Sequence, residues 1–460
     1  MSGLWCRWLL APLALVVAGG VAAAAVALHV PDPAIEPALA QRQPDVAHGA
    51  YVAVLGDCVA CHTAAGGRAF AGGLKFETPV GAIYSSNITP DAQTGIGRYD
   101  LKGFIRVMRY GVKPDGTRLY PAMPYTSYDK VSDEDLQDLF AYLQHDVSPV
   151  SQATRSGGIV WPLTMRWPLA LWDAAFHHPT HYIDDPSRSG QWNRGAYLVQ
   201  GLAHCGTCHT PRGVALQEKD VDGRTELYLS GASLDFSSPV NLRGNIGDGL
   251  GRWTAADIAE LLKTGVNAHS AVTGPMAEVV QDSSQYMTDA DVAAIAAYLK
   301  SLSPAAATGH ASFAADDATL RAIMAGGETS VGGRIFMDSC AACHRLSGDG
   351  AGRAFPGLAG NAAVLSQDPS SLIEVILNGA RLPSTAGAPS GLAMPPFGWR
   401  YDNAAIAQLA TFLRASWGNH ASAVTETQVV AVRQRDDVMA PNAEPRQAAT
   451  AGETAQASRR

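Results

Sequence analysis

Cys58-Val59-Ala60-Cys61-His62, Cys205-Gly206-Thr207-Cys208-His209 and Cys340-Ala341-Ala342-Cys343-His344 are three copies of one pentapeptide. Cys-x-x-Cys-His is the attachment signal of a c-type haem: the thiols become thioethers at the haem edge, and the adjacent imidazole reaches the iron. The copies use six of the chain's seven cysteines and lie well over a hundred residues apart. A zinc site would gather four ligands at short spacing, and a redox dithiol would not repeat a histidine in the same place. A disulfide across a two-residue spacer is strained. The pattern predicts three covalently bound c-type haems. Cys58, Cys61, Cys205, Cys208, Cys340 and Cys343 are the anchors, and His62, His209 and His344 the proximal ligands.

An electron-transfer haem usually carries a second axial ligand. Each motif is followed by a methionine beside a proline, in a stretch without helical periodicity: Met123 in Tyr120-Pro-Ala-Met-Pro124, Met276 in Gly274-Pro-Met, and Met394 in Ala393-Met-Pro-Pro396. Proline stiffens the backbone that presents the thioether. Met108 lies in a helical run, Met287 at a helix start and Met337 just before a motif, so these read as packing residues. His269, in Asn267-Ala-His-Ser270, is the rival sixth ligand in the second unit.

The motifs sit in a longer repeat. A short helix precedes each one, opening with Gly49-Ala-Tyr51, Gly195-Ala-Tyr197 and, more loosely, Gly333-Arg-Ile-Phe336. The glycine is read as a close helix contact and the aromatic as its filler. Loops Gly95-Ile-Gly-Arg-Tyr99 and Gly249-Leu-Gly-Arg-Trp253 follow in two units. Amphipathic helices come next around Leu101–Met108, Asp257–Leu262 and Leu372–Ile376, with apolar residues at three- and four-residue steps. Closing helices start at Ser132, Thr288 and Asp402, residues suited to N-caps, with acids in the first turn. The expected fold class is all-α: three tandem one-haem domains behind an N-terminal membrane segment.

The expected organisation is a membrane segment at 1–30, haem domains at 45–150, 190–303 and 328–420, linkers at 151–189 and 304–327, and a flexible tail at 421–460. Arg7 precedes an uncharged run from Trp8 to Leu28, long enough to cross a bilayer. It is read as an uncleaved anchor with Arg7 inside, a cleaved signal peptide being the alternative. The first linker holds three of the nine tryptophans. It is expected to pack on its own domains, with a membrane interface, a quinone or a partner subunit as alternatives. A formal charge of −8 and a pI near 5.9 argue against nucleic acid. No dinucleotide fingerprint or nucleophile elbow suggests a substrate-oxidising site of the chain's own.

Residues 45–420 resemble the three-haem cytochrome c subunits of bacterial membrane-bound dehydrogenases. The resemblance rests on the haem motifs, Tyr84-Ser-Ser-Asn-Ile-Thr-Pro90, Tyr120-Pro-Ala-Met-Pro-Tyr125, Trp161-Pro-Leu163, Met165-Arg-Trp-Pro-Leu169, Cys208-His-Thr-Pro-Arg-Gly213 and Trp417-Gly-Asn419. It implies an electron-transfer subunit of an alcohol or aldehyde dehydrogenase complex at the periplasmic face of the inner membrane, with a flavin gluconate or sorbitol dehydrogenase as an alternative. Electrons would pass from a large dehydrogenase subunit carrying pyrroloquinoline quinone, molybdopterin or flavin, through three haems, to ubiquinone. It also implies Met123, Met276 and Met394 as distal ligands. The anchor-like N-terminus and the polar stretch from Val424 to Arg460 depart from the quinoprotein-linked pattern and lean toward a molybdopterin aldehyde dehydrogenase as the rival. A free-standing electron shuttle is the further alternative.

Overall fold

A computed structural model describes residues 29–78, 80–234, 237–306 and 311–439, with 20, 25 and 26, and side chains as far as 435. The anchor expected at 1–30 lies almost wholly outside these residues, as does the tail beyond 439. No helix among the described residues is long and apolar enough to cross a membrane.

The fold is mostly helical. Strands among the described residues are three two-residue antiparallel ladders, pairing Lys75–Phe76 with Ile83–Tyr84, Ser312–Phe313 with Asn419–His420, and Ala380–Arg381 with Ala393–Met394. Each unit has an opening helix: α1 (Val46–Leu55), α2 (Gly190–Tyr197) and α3 (Val331–Ser339). Each has a closing helix packed on it: α4 (Asp133–His145), α5 (Asp289–Ser301) and α6 (Asn403–Ala415). N-caps start all six. Asp45, Ser189 and Ser330 cap the opening helices, and Ser132, Thr288 and Asp402 cap the closing ones, each accepting from a backbone N–H in the first turn. In the third unit Asp402 is itself the cap, and no acid stands in the first turn that follows. The middle helices, Leu101–Tyr110, Ala255–Thr264 and Ser370–Asn378, all stop at glycines of positive φ, namely Gly111, Gly265 and Gly379.

The helix crossings are where glycine is required. A Cβ on Gly49 would collide with the Asp138 carbonyl oxygen, and one on Gly195 with that of Ala294. In the third unit the collision, with the Gln408 carbonyl, belongs to Gly332 and not to the expected Gly333. The second opening helix continues into a π-helical turn, Leu198–Leu202, buried throughout.

Units one and two share one apolar core, running from Leu39 to Leu299, whereas the third unit has its own, from Ile335 to Val432. A reciprocal exchange joins the first pair. The Tyr51 hydroxyl accepts from the Thr288 backbone N–H at 2.9 Å and donates to Asp291 at 2.7 Å. The Tyr197 hydroxyl accepts from the Ser132 N–H at 3.1 Å and donates to Asp135 at 2.5 Å. These tyrosines are therefore bonded across units, beyond the filling role expected of them. The third unit rests on the second through Ser238 and Ser371, whose hydroxyls each accept from the other's N–H at 2.8 and 3.0 Å.

The tail expected to be flexible from residue 421 is instead ordered to Met439. Helix α7 (Glu426–Met439) packs on α6 and on Ser370–Asn378. Val424, Val429 and Val432 are buried, and Arg433 donates to Asn403 and to the Gly398 and Tyr401 carbonyls. Thr425 and Gln428 form a reciprocal capping box that starts it. The first linker is divided. Arg166 stacks over the Tyr120 ring at 3.6 Å and Tyr120 donates to the Leu163 carbonyl, yet Trp161 and Trp167 remain 79% and 52% exposed.

Candidate haem sites

Every motif forms a short helical turn: Cys58–Cys61, Gly206–His209 and Ala341–His344. The following histidine is gripped twice in each case. Its Nδ1 lies 2.7 Å from the Ser86 carbonyl oxygen for His62, 2.7 Å from that of Val240 for His209, and 2.9 Å from that of Pro356 for His344. Its own carbonyl accepts from Gly72, Gly231 or Gly350, at 2.6, 2.9 and 3.0 Å. All three glycines have positive φ. They also pack on the gripping segment: a Cβ on Gly72 would lie 2.5 Å from the Ser86 carbonyl carbon, and one on Gly231 3.1 Å from the Asn241 nitrogen.

A backbone carbonyl on Nδ1 fixes that nitrogen as the donor and leaves Nε2 with its lone pair, the tautomer a metal requires. Burial lowers the pKa of all three imidazoles, against the opposing pull of those carbonyls, and so favours the neutral form. None of the six motif cysteines is in a disulfide. Burial pushes Cys58, Cys205 and Cys340 up to about 12. A reactive dithiol needs the opposite shift. Among the described residues no cluster of three or more His, Cys, Asp or Glu side chains could hold a bare metal ion. Beside the second motif, the buried Tyr228 hydroxyl has no hydrogen-bond partner within the protein. Paired thiols, an oriented imidazole and an orphaned polar atom fit a covalently held group with its own polar edge.

The three methionines are all half-buried. Met123 sits in a turn between Pro121 and Pro124, its carbonyl accepting from Tyr125 N–H at 2.8 Å. Met394 is in a ladder strand paired with Ala380. Met276 departs from its expected loop: it lies in the first turn of α8 (Pro275–Asp282), where Pro275 at the start lacks only an N–H the helix does not use. His269 is stacked on Trp253, with ring centroids 5.3 Å apart, and its Nε2 faces Asp257 at 3.3 Å. That nitrogen is engaged in the protein. Met108 and Met287 are buried in the core, and Met337 packs against the third core.

The first two sites adjoin. Helix α8, which bears Met276, packs on the Cys58–Cys61 turn, and the turn Tyr125–Tyr128, just after Met123, packs on the π-helical turn that leads to Cys205. A Cβ on Gly56 would touch both the Cys58 sulfur at 3.3 Å and Leu202 at 3.8 Å. The glycine and carbonyl clamps went unread in the sequence. The repeated Asn87-Ile88 and Asn241-Leu242 pairs were the available signal, since Asn87 and Asn241 each accept from the N–H two residues on.

The family model described as cytochrome c matches residues 46–146, 193–303 and 330–417. The chain is 45% identical over 400 residues to the gluconate 2-dehydrogenase cytochrome c subunit of Pantoea cypripedii, covering 86% of this chain and 90% of that one. It is 46% identical over 393 residues to the cytochrome c subunit of alcohol dehydrogenase (quinone) of Gluconacetobacter polyoxogenes, covering 84% of each. It is 36% identical over 419 residues to the fructose dehydrogenase cytochrome subunit of Gluconobacter japonicus, covering 86% and 84%.

Proposed function

Because the chain belongs to the cytochrome c family, we propose that it is the electron-relay subunit of a membrane-bound dehydrogenase, linking a catalytic subunit that oxidises an alcohol or sugar to ubiquinone. It is an electron-transfer subunit and not itself the substrate-oxidising enzyme. The observation that carries the reading is the threefold recurrence of a Cys-x-x-Cys turn whose histidine is clamped with Nε2 free. When bound, each haem supplies a one-electron iron couple whose potential its axial ligands set.

In this reading Cys58 and Cys61, Cys205 and Cys208, and Cys340 and Cys343 anchor three haems. His62, His209 and His344 would hold the irons as proximal ligands, and Met123, Met276 and Met394 would supply the second ligands. Units one and two share one core, and the third unit rests on the second through Ser238 and Ser371. The uncharged run after Arg7 supports attachment to the inner membrane with the body on the periplasmic side.

Mild detergent purification from native membranes, with mass spectrometry of the co-purifying large subunit and its cofactor, tests the reading. A large dehydrogenase subunit carrying pyrroloquinoline quinone or flavin is the expected outcome; molybdopterin would move the substrate to aldehydes. Recovery of the chain without any dehydrogenase would overturn it in favour of a free shuttle.

A further inference from the structure

A cleft of about 450 Å³ opens between the segment around His29, the first unit at Tyr110 and Arg118, and the first-linker helix Leu169–Phe176. Ala25, Val26, Tyr110, Ala170 and Ala174 give it apolar walls. Its inner end is polar and connected. Arg118 reaches Asp173 at 2.8 Å and the His29 carbonyl at 2.7 Å. Tyr125 donates to the other Asp173 oxygen at 2.8 Å and meets the His177 ring edge-on, with centroids 5.1 Å apart. His177 in turn faces Asp129 at 3.3 Å. Apolar walls with a few convergent polar groups are the usual make-up of a small-molecule site, and the volume falls in the usual range.

We propose that this cleft is where the chain binds and reduces its membrane quinone, an isoprenoid benzoquinone, the ring lying against Arg118, Asp173 and His177 and the tail leaving past Ala25 and Val26. The proposal rests on the dehydrogenase-to-quinone reading above and adds to it a place and an exit centre. Three observations select this occupant. Ala25 and Val26, which belong to the uncharged run Trp8–Leu28, line the cleft, so a ligand dissolved in the bilayer has a short approach here. Leu171 and Phe176, on the linker helix Leu169–Phe176 that forms one wall, are exposed, as are Trp161 and Trp167 upstream, an apolar apron suited to a membrane interface. Finally, the polar end is joined through Tyr125 to the segment bearing Met123, since the Tyr125 N–H donates to the Met123 carbonyl.

Reduction of the quinone to hydroquinone takes up two electrons, one at a time, and two protons. The electrons come from the substrate oxidised by the dehydrogenase subunit and leave through the first unit's centre. The two protons come from solvent by way of Asp173 at the polar end of the cleft. Burial raises the Asp173 carboxyl against the pull of Tyr125 and Arg118, which suits a proton donor.

The test uses the intact complex. A photoreactive azido-ubiquinone should label a peptide containing 110–118 or 170–177, and excess ubiquinone should protect it. Ala174→Trp, which fills the cleft from an exposed position, should raise the KM for ubiquinone at least tenfold, with the reduced haem spectrum and the melting profile reporting an intact fold. Labelling confined to other peptides, or an unchanged KM in a folded Ala174→Trp complex, would overturn the assignment. A wild-type complex whose haems are reduced by substrate but never oxidised by ubiquinone would instead remove the quinone reading on which it rests.

Discussion

Tyr51 of the first unit donates to Asp291 of the second at 2.7 Å, and Tyr197 returns the same bond to Asp135 in the opposite sense. Each aspartate also meets a side-chain nitrogen of its own unit: Arg194 lies 2.7 Å from Asp291, and His48 2.7 Å from Asp135. The interface is thus isologous within a single chain, the arrangement a symmetric pair of subunits would make.

Tyr51→Phe should therefore weaken the first two units together and spare the third. A hydrogen bond to a charged acceptor contributes about 1.5–3 kcal/mol, and Asp291 keeps Arg194, so a loss near 1–2 kcal/mol is expected. Calorimetry of the haem-loaded chain should show one transition moving and the other fixed. Equal movement of both would contradict two separate cores.

Acid should act on the same contact. Burial alone would raise the Asp291 carboxyl, but Arg194 and the Tyr51 hydroxyl outweigh it and hold it below the ordinary carboxylate range. A depressed folded value means its stabilisation is complete above about pH 4 and is lost as the pH falls through that value. Melting temperatures taken from pH 7 to pH 3 should fall more steeply for the wild type than for Asp291→Asn. Parallel curves would show that the ion pair contributes nothing.

Gly72→Ala and Gly66→Ala make a controlled pair. Both positions have positive φ, so each alanine costs about 1–2 kcal/mol in the left-handed region. At Gly66 nothing lies within 4 Å, whereas at Gly72 the new Cβ would press on the Ser86 carbonyl that orients His62. Only Gly72→Ala should disturb the first haem's absorption and potential, with a further 1–3 kcal/mol lost to overpacking. Identical spectra for the two variants would detach the glycine from the histidine clamp.

Met276→Leu should lower the potential of the second haem and let carbon monoxide bind its reduced iron, because loss of a thioether ligand removes the interaction that raises the potential. An unchanged spectrum and potential would remove Met276 from the ligand set.

Much of the helical plan could be read directly, because N-caps are short-range signals carried by single side chains such as Ser132, Thr288 and Asp402. What escaped has other causes. A carbonyl clamp such as Ser86 on His62 uses backbone atoms that every residue possesses, so it leaves no side-chain signature. Contacts between units have no period, which is why Tyr51 and Tyr197 read as filler. Helix α7 was masked by its polar composition, although Thr425-x-x-Gln428 is a start signal. The third crossing glycine was misplaced by one residue because Gly332 and Gly333 are adjacent and only packing tells them apart.

One residue more separates Gly195 from Cys205 than separates Gly49 from Cys58, and the π-helical turn Leu198–Leu202 is where that residue is accommodated. In an ordinary helix an added residue would rotate everything after it by about 100°, swinging the second motif off its partner. The widened turn absorbs the insertion locally, so the crossing glycine and the haem-bearing cysteines keep their bearings. Excising a single residue from that turn is accordingly a larger change than its size suggests: it would have to be answered by regularising the helix, or the second centre would turn away from the first.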